Sequence, residues 1–196
     1  MSPEVPETLR VAFLVVDALE SLGVRYHLGG SLASSIHGVP RQTQDVDIVV
    51  ALDAADVHEL VTRLGESFHA DPAGAREAIR ARGSFNLIHL ESGIKADLFS
   101  CGDQPFDIEE FSRGRSELVS VDPERRIFVK SPEDTILRKL RWYRDGGEAS
   151  DRQWVDVLGV VRAQGARLDR EYLRRWASEL QVADLLERAL GPGARR

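Results

Sequence analysis

Asp45 and Asp47 stand two apart in the segment DVDIVVAL, and a third aspartate, Asp97, stands in IKADLFS. Apolar residues flank all three, so both segments read as strands. Residues two apart in a strand share a face, so Asp45 and Asp47 project together while Val46 and Ile48 point the other way, into a core. Neighbouring carboxylates repel, and burying them unpaired is costly. They need a divalent cation, a hydrogen-bond network or open water beside them. Hard oxygen donors of this kind suit magnesium, which keeps several waters and is completed by phosphates. Taken alone, the pair is more often a solvated turn or strand edge, while Asp97 is equally an edge residue facing water.

Two neighbouring features bear on that choice. Gly29-Gly30-Ser31 lies between the strand-like VRYHL and the helical SLASSIH. Backbone N–H groups and the positive end of a helix favour a phosphate at such a turn. Its plainer reading is a tight turn with Ser31 as the helix N-cap. Arg41 and Thr43, just before the carboxylate pair, are placed either to contact phosphate or to fix the loop.

Together, a Gly-Gly-Ser turn, a helix, the segment GVPRQTQDVD and a later lone Asp on a strand resemble the nucleotidyltransferase fold of the polymerase-β-like superfamily. Within it the chain looks most like the small bacterial branch that includes the AbiEii-type toxins of type IV toxin–antitoxin systems. The resemblance covers residues 24 to 100 well and the C-terminal helices more loosely. It implies a mechanism. Asp45 and Asp47 would hold two Mg2+ ions against the triphosphate of an NTP. Gly29, Gly30 and Ser31, with Arg41 and Thr43, would bind nucleotide. Asp97 would be the third metal ligand and help deprotonate a hydroxyl acceptor, with pyrophosphate released. The same branch carries a lysine and a downstream Arg and Asp in its helical region, which makes Lys139 a candidate for the triphosphate, with Arg152 and Asp156 in support. The insert DGGEAS leaves either Arg144 or Arg152 in that role. Without the resemblance, the run LRKLRWYRD reads first as a solvated helix face, with Ile136, Leu140 and Tyr143 on its buried side.

The elements that must position these residues form a mixed α/β (α+β) pattern. Residues 6–22 carry apolar side chains at helical spacing and stop at Gly23. Strands are expected at VRYHL, DVDIVVAL, FNLIHLE, IKADLFS and RIFVK, and Ser92-Gly93 is a hairpin signal. Helices are expected at ADVHELVTRLGESF and AGAREAIRARG. From Ser131, an N-cap followed by Pro132, the chain reads as helical, with segments near 150–164 and 169–190 divided by Gly165. The expectation is a core over residues 1–130, a mixed sheet flanked by helices, and a C-terminal helical region over 131–196. Residues 101–125, charged and poorly periodic, read as either a lid or a connecting loop.

Composition narrows the class. A net charge of -6 argues against a broad basic surface for non-specific nucleic-acid binding, though not against a local positive site. A single cysteine, Cys101, read as a small core or strand-end residue, excludes an intramolecular disulfide and suits a reducing cytoplasm. The segment VAFLVVDALESLG is too short and too charged to span a bilayer, so the expected localisation is cytoplasmic. His27, His37, His58, His69 and His89 lack metal-ligand spacing, and Trp142, Trp154 and Trp176 are expected in the core.

The functional expectation is therefore a Mg-dependent, ATP-binding or other NTP-binding transferase that moves an NMP to a hydroxyl. The acceptor would be tRNA or protein if the chain is a toxin with an antitoxin partner, or an aminoglycoside or lincosamide otherwise. The competing class is a non-catalytic nucleotide- or partner-binding module.

Overall fold

The computed structural model describes residues 5–191, so the outermost residues of both expected regions lie outside it. In chain order, α1 (Glu7–Ser21), β1 (Tyr26–Leu28), α2 (Gly30–His37) and β2 (Asp45–Val50) come first. They are followed by α3 (Val57–Leu64), β3 (Phe68–His69), α4 (Pro72–Arg80), β4 (Ser84–His89) and β5 (Lys95–Ser100). Next come α5 (Pro105–Ser112), β6 (Arg115–Val121) and β7 (Glu124–Val129). Last are α6 (Pro132–Asp145), α7 (Asp151–Gln164), α8 (Arg170–Glu179) and α9 (Ala183–Leu190).

These elements fall into two units. The first comprises residues up to Gly29 and Gln42–Val129, and the second Gly30–Arg41 with residues from Lys130 onward. The first unit is built on a mixed sheet in the order β3-β4-β5-β2-β1-β7-β6. Strand β2 runs parallel to β5, and β1 parallel to β7; the remaining neighbours are antiparallel. Val46, Ile48, Val50, Ala96 and Leu98 are fully buried, and α1 packs against both central strands. Val11, Ala12, Val15, Val16 and Leu19 supply the fully buried stripe of α1 at helical spacing. Alternation in β2, with Val46, Ile48 and Val50 buried and Asp45, Asp47 and Val49 less so, matches the face assignment read from the sequence.

The hairpin between β4 and β5 turns at Gly93, whose φ of 70° explains the glycine. Residues 101–125 are more ordered than the sequence suggests. Helix α5 begins at Pro105 with Gln104 and Asp107 forming a capping box, and β6 pairs with β7 at the sheet edge. Strand β6 exposes residues on both faces, so the alternation that reveals a half-buried strand is missing from it.

In the second unit α2 packs on α6 and α7, and α8 on α6 and α9. Ser131 caps α6, its hydroxyl accepting from the Asp134 N–H at 3.1 Å, with Pro132 in the first turn. Gly38 follows α2, where a Cβ would come within 2.7 Å of the Val160 backbone nitrogen. The expected helix over 169–190 is two helices, broken at Gln181, which takes φ 59° without any glycine or proline to announce it. Trp176 is buried as expected. Trp142, by contrast, is 41% exposed, because it lies on the side of α6 opposite Ile136, Leu140 and Tyr143. No helix among the described residues is long and apolar enough to cross a membrane.

Candidate active site

The carboxylates of the first unit sit on one face of adjacent parallel strands. Asp47 is the register partner of Asp97, and Asp45 that of Lys95. Neighbouring strands lie about 4.8 Å apart, so all four side chains share a small area of sheet. The Lys95 ammonium donates to Asp97 Oδ2 at 2.8 Å. That hydrogen bond, with the negative charge of Asp97, Asp45 and Asp47, raises the pKa of Lys95.

The loop leading into β2 is tied down locally. The Thr8 hydroxyl donates to the Thr43 carbonyl at 2.8 Å, and the Thr43 hydroxyl lies 3.4 Å from the Asp45 backbone. Gly29 donates its N–H to the Asp47 carbonyl at 2.8 Å, so it holds the turn against the carboxylate strand. Thr43 and Gly29 therefore occupy loop-fixing positions, and the first-turn N–H groups of α2, which follow Gly29, have no partner within their own helix.

Within the second unit, Arg41 and Lys139 converge on Asp156. The Arg41 guanidinium reaches both carboxylate oxygens, at 2.8 and 2.9 Å, and donates to Ser31 Oγ at 2.5 Å. Lys139 Nζ, 3% exposed, lies 2.8 Å from Asp156 Oδ2 and 3.0 Å from Gln153 Oε1. Two cations against one buried carboxylate leave a net positive charge beside Ser31 in the first turn of α2. Burial pushes the Asp156 carboxyl up, but the hydrogen bonds from Arg41 and Lys139 outweigh it and hold the group below the ordinary carboxylate range. The bond to Asp156 correspondingly raises the pKa of Arg41.

The structure thus gathers Ser31, Arg41, Lys139 and Asp156 into one network. Arg152 is exposed on the first turn of α7, and it is its neighbour Gln153 that reaches Lys139. Arg144, the other arginine the sequence left open, pairs with Asp184 at 2.6 Å and Glu148 at 3.2 Å. Gln153 escapes a sequence reading because a neutral amide carries no charge pattern. The signal available was its position, three residues before Asp156 and so on the same helix face.

Three carboxylates on one face of two adjacent strands, Asp47 and Asp97 in register and Asp45 two residues along, have the donor chemistry for a hard dication. Among the described residues no three His, Cys, Asp or Glu side chains gather round one point, and Asp97 is turned to Lys95.

No family model matches the chain, and no curated protein sequence matches it. Solved structures do. A nucleotidyltransferase-like antigenic protein from Paracoccidioides brasiliensis superposes with a TM-score of 0.56 at 17% identity, covering 97% of this chain and 94% of that one. The fold is that of the nucleotidyltransferases. The antibiotic-resistance factor ANT(2'')-Ia matches this nucleotidyltransferase-fold chain with a TM-score of 0.53 at 14% identity, over 92% of this chain and 95% of its own. A second structure of that factor, in complex with adenylyl-2''-tobramycin, gives 0.51 at 12% identity, over 90% and 98%.

Proposed function

We propose that this chain is an NTP-dependent nucleotidyltransferase that moves an NMP to a hydroxyl acceptor and releases pyrophosphate. The observation that carries the reading is the register of Asp47 with Asp97, and of Asp45 beside them, on one face of a sheet with this fold. Asp45, Asp47 and Asp97 would hold two Mg2+ ions, which when bound neutralise phosphate charge and acidify an attacking hydroxyl. Asp97 is also the acceptor for the hydroxyl proton. The N–H groups at Gly30 and Ser31, the Ser31 hydroxyl, Arg41 and Lys139 are the donors for the β and γ phosphates, with Asp156 and Gln153 holding the two cations in place.

Two acceptor classes follow from different observations. The motif resemblance to AbiEii-type proteins supports tRNA or a protein side chain, and with it a toxin role, an antitoxin partner and a cytoplasmic site of action. The likeness to ANT(2'')-Ia supports a small-molecule hydroxyl. Transfer of label from each α-32P-NTP to tRNA, total protein and aminoglycosides separates them. Asp47→Asn and Asp97→Asn are each expected to lower transfer by at least about a hundredfold. Full transfer in either variant would refute the carboxylate mechanism.

A further inference from the structure

On the proposed reading of this face, Asp97 is needed for a metal ion, yet its Oδ2 is 2.8 Å from the Lys95 ammonium. Lys95 stands two residues before Asp97 on β5, so both side chains project from the same face, and Lys95 is opposite Asp45 in register. One ammonium therefore stands among the three carboxylates from which the ligand set must be drawn. Its side chain is 43% exposed, so its stem is free to carry the charge away from Asp97 without disturbing the buried face of the sheet.

We infer that Lys95 is a positioning residue that makes metal loading conditional on nucleotide. The ammonium and a divalent cation compete for Asp97, and a polyphosphate relieves the competition by taking the ammonium as its own counter-ion. A dication entering alone must displace Lys95 and then remain beside a like charge. A dication entering with a triphosphate meets neither cost, because the phosphate oxygens are alternative acceptors for the ammonium. The sequence gives the chain a cation two residues from its third carboxylate, and the register turns that spacing into a shared site.

Calorimetric titration with MnCl2, alone and with a non-hydrolysable ATP analogue, tests this on the wild type, Lys95→Met, Lys95→Arg and the Lys95→Met/Asp97→Asn double variant. Lys95→Met is expected to bind Mn2+ alone at least about tenfold more tightly than the wild type, and to gain less from the analogue. Lys95→Arg should keep wild-type behaviour. Melting in EDTA supplies a second readout, because removing the ammonium from among three carboxylates should lower the Tm. Equal Mn2+ affinity and equal Tm in Lys95→Met and the wild type, with weaker Mn2+ binding in the Lys95→Met/Asp97→Asn double variant, would overturn the role of Lys95 and leave the carboxylate site standing. Mn2+ binding by none of the proteins, with or without the analogue, would overturn the site and the inference together.

Discussion

At the scale of single residues, Asp156 joins more of the chemistry than any other side chain of the second unit. It is the common acceptor for Arg41 and for the buried Lys139, and its position was readable from the sequence only through a family resemblance. Its pKa is lower in the folded chain than the ordinary value of 3.8, so its pairing stabilises the fold fully above that value. The contribution is lost as pH falls through the lower, folded value. Urea denaturation of the wild type should accordingly show stability falling on acidification below the usual carboxylate range, and Asp156→Asn should lack that part of the slope. At neutral pH the same variant leaves two cations without their carboxylate, which should cost roughly 3 kcal/mol. Asp45, Asp47 and Asp97 stood out in the sequence because charge in an apolar strand pattern is conspicuous, whereas Lys139, inside a charged run, was singled out only through the family resemblance. Gln153 was not, and neither was the role of Lys95, since a strand lysine looks like any solvated one until the register shows what stands opposite it.

At the scale of elements, the legible parts were those with a strong period or a strong stop. Helix α1, the strands β2, β4 and β5 and the capped start of α6 all follow patterns that one local rule describes. Strand β6 and the break at Gln181 do not, because an edge strand exposed on both faces has no alternation and a left-handed glutamine has no composition signal. The contact after α2 is a third case. Glycine at 38 reads as an ordinary helix stop, whereas its structural reason is the approach of the α7 backbone, with Gly159 facing Val39 from the other side. Gly38→Ala would set a Cβ 2.7 Å from the Val160 nitrogen and 2.8 Å from the Gly159 carbonyl carbon. Neither is a flexible side-chain end that can step aside. A loss of about 1–3 kcal/mol is expected, measurable as a lower urea midpoint, with Gly23→Ala as a reference that meets no atom within 4 Å but strains a φ of 68°.

At the scale of the whole molecule, helix α2 comes early in the sequence and packs with helices that come late. His37 Nε2 meets the Lys130 carbonyl at 2.7 Å, and Gln164 donates to the His37 carbonyl at 2.7 Å. A fragment ending at residue 130 therefore keeps α2, with its Leu32 and Ala33 that are buried in the full chain, but lacks α6 and α7, the helices on which α2 packs. Such a fragment should show fast amide exchange throughout α2 while β2 and β5 stay protected, and co-expression of residues 131–196 should restore protection. The same arrangement imposes an order on synthesis. Between His37 and Pro132 a ribosome must add nearly a hundred residues, which at about 5–20 residues per second takes roughly 5–20 s. For that interval every nascent chain carries the apolar residues of α2 without the helices α6 and α7 that cover them, so rapid elongation shortens the window in which neighbouring chains on one message can pair through that segment.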